Sequence, residues 1–263
     1  MGAFMLNKAM TAFRLLRDGG VRNLYGHSWL RLQHLTQANR KKVSFDGCTF
    51  SLQGIADESM RAQLFTNNYE VEERRAVVRY LRRDLPVVEL GGSMGVVACV
   101  TNRLLKNKKA HLVVEANPLA IPHLELNRKL NRCEFEIVNR AIAYGVDSVT
   151  FRPSSSLCGN SITADGDLPP VTVETVHLGE LVRAHDFSKF NLVCDIEGLE
   201  YDLVCHESEV LKMADIIIME THARYIGEDK LRFMMSKLQG LGFILVEETG
   251  FVVVLRKNDL NVA

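Results

Sequence analysis

P-V-V-E-L-G-G-S-M-G-V-V-A, residues 86–98, is the most informative stretch of this chain. An apolar run (Val87, Val88, Leu90) ends in a glycine-rich turn (Gly91, Gly92, Gly95), and an apolar, helix-compatible segment from Val96 to Leu105 follows at once. Strand, tight turn and helix start, in that order, predict a ligand cradle. Glycines admit a ligand to the backbone, and a helix N-terminus offers unpaired N–H groups. The dinucleotide fingerprint G-x-G-x-x-G does not fit, because positions 91, 93 and 96 are Gly, Ser and Val. The pattern is instead acidic-x-Gly-x-x-x-Gly, carried by Glu89, Gly91 and Gly95. A carboxylate here would repel a pyrophosphate, yet it suits a ligand with an ammonium and a sulfonium. That points to S-adenosylmethionine rather than NAD. An ordinary strand–helix turn has much the same look, so the remaining chain must carry the choice.

At 263 residues the chain can hold one large α/β domain with a small appendage. Such a length buries roughly 70–75% of the unfolded surface, so neither disulfide nor metal is needed to hold the fold. Lys+Arg and Asp+Glu number 32 each, which argues against a nucleic-acid partner. Cysteines 48, 99, 133, 158, 194 and 205 form no C-x-x-C pair and several lie in apolar runs, as reduced thiols of a cytoplasmic protein do. No run of eighteen apolar residues exists, so no integral membrane segment is expected. The first residues lack the layout of a signal peptide.

Residues 3–17 and 21–37 read as amphipathic helices, suited to packing on the main domain or to joining two copies as a homodimer. Lys41 to Gly54 alternates about Asp46-Gly47 and predicts a β-hairpin. Together, residues 1–68 read as a lid or appendage, and 69–263 as the main domain. A charged helix over 70–83 carries a narrow apolar stripe of Val71, Val77, Val78 and Leu81. A second strand, 111–118, ends near Glu115, twenty residues beyond Gly95. There a carboxylate can accept both hydroxyls of an adenosine ribose. Strands follow at 134–143, 149–152 and 171–176, with a polar stretch at 153–170 read as a substrate-facing insertion or flap. The strand 190–198 brings Asp195 and Glu197 to its end, and the strand 214–222 brings Glu220 and His222. In a doubly wound sheet these ends line the ligand crevice. A helix over 199–212, another over 228–239 and a hairpin of 243–247 with 251–256 complete the chain.

These residues, in this order, resemble the FkbM-type S-adenosylmethionine-dependent methyltransferases over about 69–247. The resemblance is carried by Tyr69-Glu70, V-V-E-L-G-G-S-M-G, V-V-E-A-N-P, V-N-R-A-I, V-H-L-G-E-L, C-D-I-E-G-L-E and I-I-I-M-E-T-H. It departs from the family pattern at Glu89, Gly92-Ser93, Asn117 and Cys194. The resemblance implies an α/β class I methyltransferase fold: a Rossmann-like, mostly parallel seven-stranded sheet with a reversed C-terminal strand. It implies a cofactor set of Tyr69, Glu70, Glu89, Gly91, Gly92, Ser93, Gly95, Glu115, Ala116, Asn117, Arg140, Ala141 and Asp195. It further implies O-methylation of a small polyhydroxylated acceptor, such as a sugar, glycan or glycoconjugate. Asp195 or His222 would then take the acceptor proton and Glu197 would position the acceptor. A divalent ion on Asp195, Glu197, Glu220 and His222 is the lesser expectation beside plain hydrogen bonding, so no metal is assigned. Two other readings stay open: a non-catalytic cofactor-binding regulatory protein, and an RNA- or protein-directed methyltransferase.

Overall fold

The computed structural model describes residues 40–154 and 166–258. The amphipathic segments 3–17 and 21–37, and the homodimer contact expected of them, lie outside the described residues, as does the centre of the 153–170 stretch. None of the described helices is long and apolar enough to cross a membrane.

Strands β1 (Lys42–Phe45) and β2 (Cys48–Ser51) pair antiparallel across Asp46 and Gly47. Both turn residues have positive φ, 49° and 72°, the twist that a two-residue hairpin favours. The helices α1 (Glu58–Phe65) and α2 (Val71–Tyr80) follow. Asp57 caps α1 by accepting from Ser59 N and Met60 N. Phe50, Leu52, Met60 and Leu64 are buried in the same core as Val87 and Val113 of the main sheet. The hairpin and α1, placed in the appendage by the sequence, therefore share the main core within a compact unit that begins at Lys42.

That sheet contains β3 (Val87–Leu90), β4 (His111–Val114), β5 (Glu136–Val138), β9 (Phe190–Cys194), β10 (Ala214–Glu220), β11 (Phe243–Thr249) and β12 (Val252–Lys257). Its order is β11-β12-β10-β9-β3-β4-β5, and β12 alone runs against its neighbours. This is a Rossmann-like, doubly wound arrangement with one reversed strand, and β3 and β9 are adjacent where the winding reverses. Every residue of β3, β4 and β9 is buried, as strands covered on both faces must be. Successive side chains enter opposite cores. Val87 and Val193 pack with α2, α3 (Val96–Leu104) and α4 (Ile121–Leu130), while Val88 and Leu192 pack with α5 (Leu178–Ala184) and α9 (Glu228–Gly240). A smaller sheet holds β6 (Ala141–Ile142), β8 (Val171–Val176) and β7 (Ser148–Phe151), in that order.

The structure corrects four local expectations. The strand expected over 134–143 breaks, because Arg140 N turns back to Val138 O at 3.0 Å and Asn139 Nδ2 donates to Glu115 O at 2.7 Å. Residues 141–142 consequently leave the main sheet and pair with β8. The strand over 190–198 stops at Cys194, since Glu197 and Gly198 both adopt positive φ. The helix over 199–212 divides into α6 (Glu200–His206) and α7 (Ser208–Leu211) at Glu207. On α2 the inward face keeps Val77 and Leu81 of the expected stripe but adds Glu73 and Arg74, while Val78 is 45% exposed. Arg74 is satisfied there by an ion pair with Asp46, bonds to Tyr69 O and Asn67 O, and the face of the Phe45 ring.

Candidate active site

A cleft of about 620 Å³ opens at the C-terminal ends of β3, β4, β9 and β10. One end is built like a nucleoside seat. Glu115, Ala116 and Asn117 follow β4, and Arg140, Ala141 and Ile142 follow the break after β5. Both Glu115 oxygens are held by backbone: Oε2 accepts from Ser93 N and Oε1 from Asn117 N, each at 2.6 Å. A carboxylate fixed in this way still has one lone pair per oxygen for outside donors. Burial raises its pKa, against those two bonds. Tyr69, whose hydroxyl lies 3.1 Å from Ser93 Oγ, joins the glycine turn to the start of α2.

The opposite end is crowded with acid. Glu70 and Glu73 come from the start of α2, Asp195 and Glu197 from the turn after β9, and Glu220 from the end of β10; all five line the cleft. Desolvation pushes Glu70 up to about 8 and Glu220 up to about 8, the latter helped by a hydrogen bond to Glu73. Desolvation, then the Glu220, Glu197, Glu70 and Glu73 charges, lift Asp195 well above the usual carboxylate range. His222 lies just beneath. Its Nδ1 is 2.8 Å from Glu200 Oε1, and its Nε2 faces Glu197 Oε2 at 3.3 Å and Asp195 Oδ1 and Glu220 Oε1 at 3.6 Å. Burial opposes charge on this ring, but the surrounding carboxylates prevail and its pKa is raised. Arg224, from the short helix α8 (Ala223–Ile226), stands 3.5 Å from Glu197 and is the nearby cation.

Of the residues expected from sequence, Tyr69, Glu70, Gly91, Ser93, Glu115, Ala116, Asn117, Arg140, Ala141, Asp195 and Glu197 line one cleft. Three of the expected cofactor residues do not. Glu89 turns into the core opposite His111, with Oε2 3.3 Å from the ring Nε2. Burial drives both toward neutrality, Glu89 up to about 8 and His111 down to about 3. Gly92 and Gly95 are packed against protein: a Cβ would come within 2.4 Å of Val113 Cγ1 and 2.5 Å of Leu124 Cδ1. Glu73, Glu200 and Arg224 are the site residues that the sequence did not single out. For Glu200 a signal existed, as the third acid of D-I-E-G-L-E. Glu73 sits in a run of charges where nothing distinguishes an inward acid from a solvated one.

No family model matches this chain, and no curated protein matches it. Solved structures do. A precorrin-6y C5,15-methyltransferase from Geobacter metallireducens is 14% identical, covers 81% of this chain and 94% of its own, and has a TM-score of 0.43. A ribosomal protein L11 methylase from Lactobacillus delbrueckii subsp. bulgaricus is 14% identical over 73% and 80% of the two chains, with a TM-score of 0.43. Fibrillarin from Aeropyrum pernix, solved with natively bound S-adenosyl-L-methionine, is 10% identical over 71% and 74%, also at 0.43. Likeness at this level concerns the fold; the acceptors and ligands named are those proteins' own.

Proposed function

We propose that this chain is an S-adenosylmethionine-dependent methyltransferase of the FkbM kind, acting on a hydroxyl of a small polyhydroxylated acceptor. The observation that carries it is the fixed carboxylate of Glu115 beside Ser93, in one cleft with the acids after β9 and β10. The residues present fit the cofactor. Glu115 would take the ribose hydroxyls, and Ala141 and Ile142 supply apolar surface for a base. Glu70 and Asp195 suit the cationic methionine portion. When bound, the cofactor supplies an electrophilic methyl group on a sulfonium.

The chain's own work is alignment and proton handling. A wall of fixed backbone and buried acid orients the acceptor, and orientation can contribute roughly 7–11 kcal/mol to such a displacement. The acceptor hydroxyl must also lose its proton. Asp195 Oδ1 and Glu197 Oε2 lie 3.6 Å and 3.3 Å from His222 Nε2, so the proton has acceptors at hand. Removal of a general base typically lowers the rate by ~10²–10⁴. The motif order over 69–247 supports the FkbM assignment, and a small neutral acceptor is in keeping with the absence of net charge.

The test is calorimetric titration with S-adenosylhomocysteine, followed by turnover of Asp195→Asn on extract acceptors with labelled cofactor. Binding in the micromolar range and a turnover loss of ~10²–10⁴ are expected. A chain that binds no S-adenosylhomocysteine is not this enzyme. One that binds it yet labels nothing fits the regulatory reading instead.

A further inference from the structure

The imidazole of His222 is held in a manner that hydrogen bonding alone does not explain. Its side chain is 3% exposed. Both oxygens of Glu200 already accept from Gly198 N, and Oε1 also accepts from Ile196 N. Nδ1 is therefore the donor to Oε1, and Nε2 is the atom turned toward the cleft. Among the described residues Nε2 makes no hydrogen bond; it looks at three carboxylates 3.3–3.6 Å away. Asp195 Oδ1, one of those facing atoms, is buried without a hydrogen-bond partner. A carboxylate that fixes the distal nitrogen of a histidine, so that the other nitrogen meets further carboxylates, is the outer shell that metal-binding histidines carry.

We infer that Asp195, Glu220 and His222 bind one divalent transition-metal ion of the Mn²⁺ class at the acidic end of the cleft. Their ligand atoms lie within 4.8 Å of one another, close enough to share one ion. Two places in the chain supply them: the turn after β9, and the end of β10 with the residue two positions beyond it. Two carboxylate oxygens with one imidazole suit Mn²⁺, Fe²⁺ or Zn²⁺ better than the all-oxygen shells of Ca²⁺ and Mg²⁺. Glu197 stays outside the set because Arg224 Nη2 draws on its Oε2 at 3.5 Å. The ion also explains the crowding. A dication offsets the mutual repulsion of the five acids that line this end of the cleft.

For the reaction, and resting there on the function proposed above, the open coordination positions would take acceptor hydroxyls. A hydroxyl oxygen on the ion becomes more acidic. Its proton then passes to Glu197, and the oxygen forms its bond to the methyl carbon as the carbon–sulfur bond breaks, leaving the electron pair on sulfur. A polyhydroxylated acceptor can present two oxygens to one ion, which selects it over a lone alcohol.

The experiment is titration of the full-length, chelator-stripped chain with MnCl₂ alone, reading free Mn²⁺ by electron paramagnetic resonance. One ion per chain is expected, with ¹⁴N coupling from an imidazole in the pulsed spectrum. His222→Ala should abolish the coupling, and His222→Ala and Glu220→Gln should each weaken binding at least tenfold. Glu200→Gln, which disturbs only the outer shell, should weaken it about 10–100-fold. Glu209→Gln, a remote exposed acid, should change nothing. No stoichiometric uptake by 1 mM Mn²⁺, or uptake without ¹⁴N coupling in the unmodified chain, overturns the inference whether or not the variants fold. Methyl transfer at full rate in chelator would also overturn it while leaving the proposed function standing. Metal uptake without S-adenosylhomocysteine binding would do the reverse.

Discussion

A methyl group on Gly91 would lie 1.7 Å from the carbonyl oxygen of Asp195. Two backbones from distant parts of the chain meet here, and Asp195 N donates to Leu90 O at 2.9 Å in the same contact. The glycine is required by the protein's own packing as well as by its φ of +89°. Gly91→Ala must therefore push the turn after β3 away from the turn after β9. Overpacking of this kind typically costs about 1–3 kcal/mol, more where only backbone can yield. Chemical denaturation checks it: a variant as stable as the parent would mean that the two turns part freely.

Glu115→Ala should weaken S-adenosylhomocysteine binding by roughly 1.5–3 kcal/mol, the net worth of a charged hydrogen bond. The two amides that hold the carboxylate would also lose their partner, so some thermal stability should go as well. Glu115→Gln, which keeps one acceptor oxygen, should fall between. Unchanged affinity in both, measured by calorimetry, would remove Glu115 from the ribose seat.

Stability should decline from mild acid toward alkaline pH. Glu89 has its pKa raised from 4.5 to about 8 by burial. A raised folded-state pKa gives a contribution that is full below about 4.5 and is lost as pH rises through about 8. The limiting slope is about 1.4 kcal/mol per pH unit for each proton held. Glu89→Gln, always neutral, should flatten part of this decline; Glu70, Glu220 and Asp195, shifted in the same direction, add to it. Denaturation midpoints between pH 5 and pH 8 that run parallel for parent and variant would contradict the assignment.

Asn127 offers a test of how the hairpin is tied to the glycine turn. Its Oδ1 accepts from Ser51 N at 2.8 Å and its Nδ2 donates to Met94 O at 2.9 Å, all buried. Asn127→Leu, close in volume but unable to pair, leaves one donor and one acceptor unsatisfied. Each such group costs roughly 1–3 kcal/mol. A neutral substitution, by thermal melting, would show that water reaches both groups.

What the sequence makes legible is governed by the range of each determinant. The alternation about Asp46-Gly47 and the strand–turn–helix of 87–104 are local, and they appear where expected. Glu115 is legible because its place depends only on the length of one βα unit. The break at Asn139 is not, since its cause is a side chain reaching to the carbonyl of Glu115. Nor is the inward turn of Glu73, which depends on Glu220 meeting it from another strand. Local pattern suggests that the glycines open the turn to a ligand. That Val113 and Leu124 also crowd Gly92 and Gly95 is not legible, since no window around residue 91 contains them.

The reversed strand β12 sets an order of events during synthesis. It lies between β10 and β11, so the outer edge of β10 stays unpaired until residues 252–257 have left the ribosome. Through that interval Ile216, Ile217 and Ile218 present a bare apolar edge, the kind of surface that templates aggregation. The acidic end of the cleft waits with it, because Gly250, Phe251 and Val252 form part of its wall. A nascent chain arrested before this hairpin has the Glu115 end of the cleft in place and its acidic end still open.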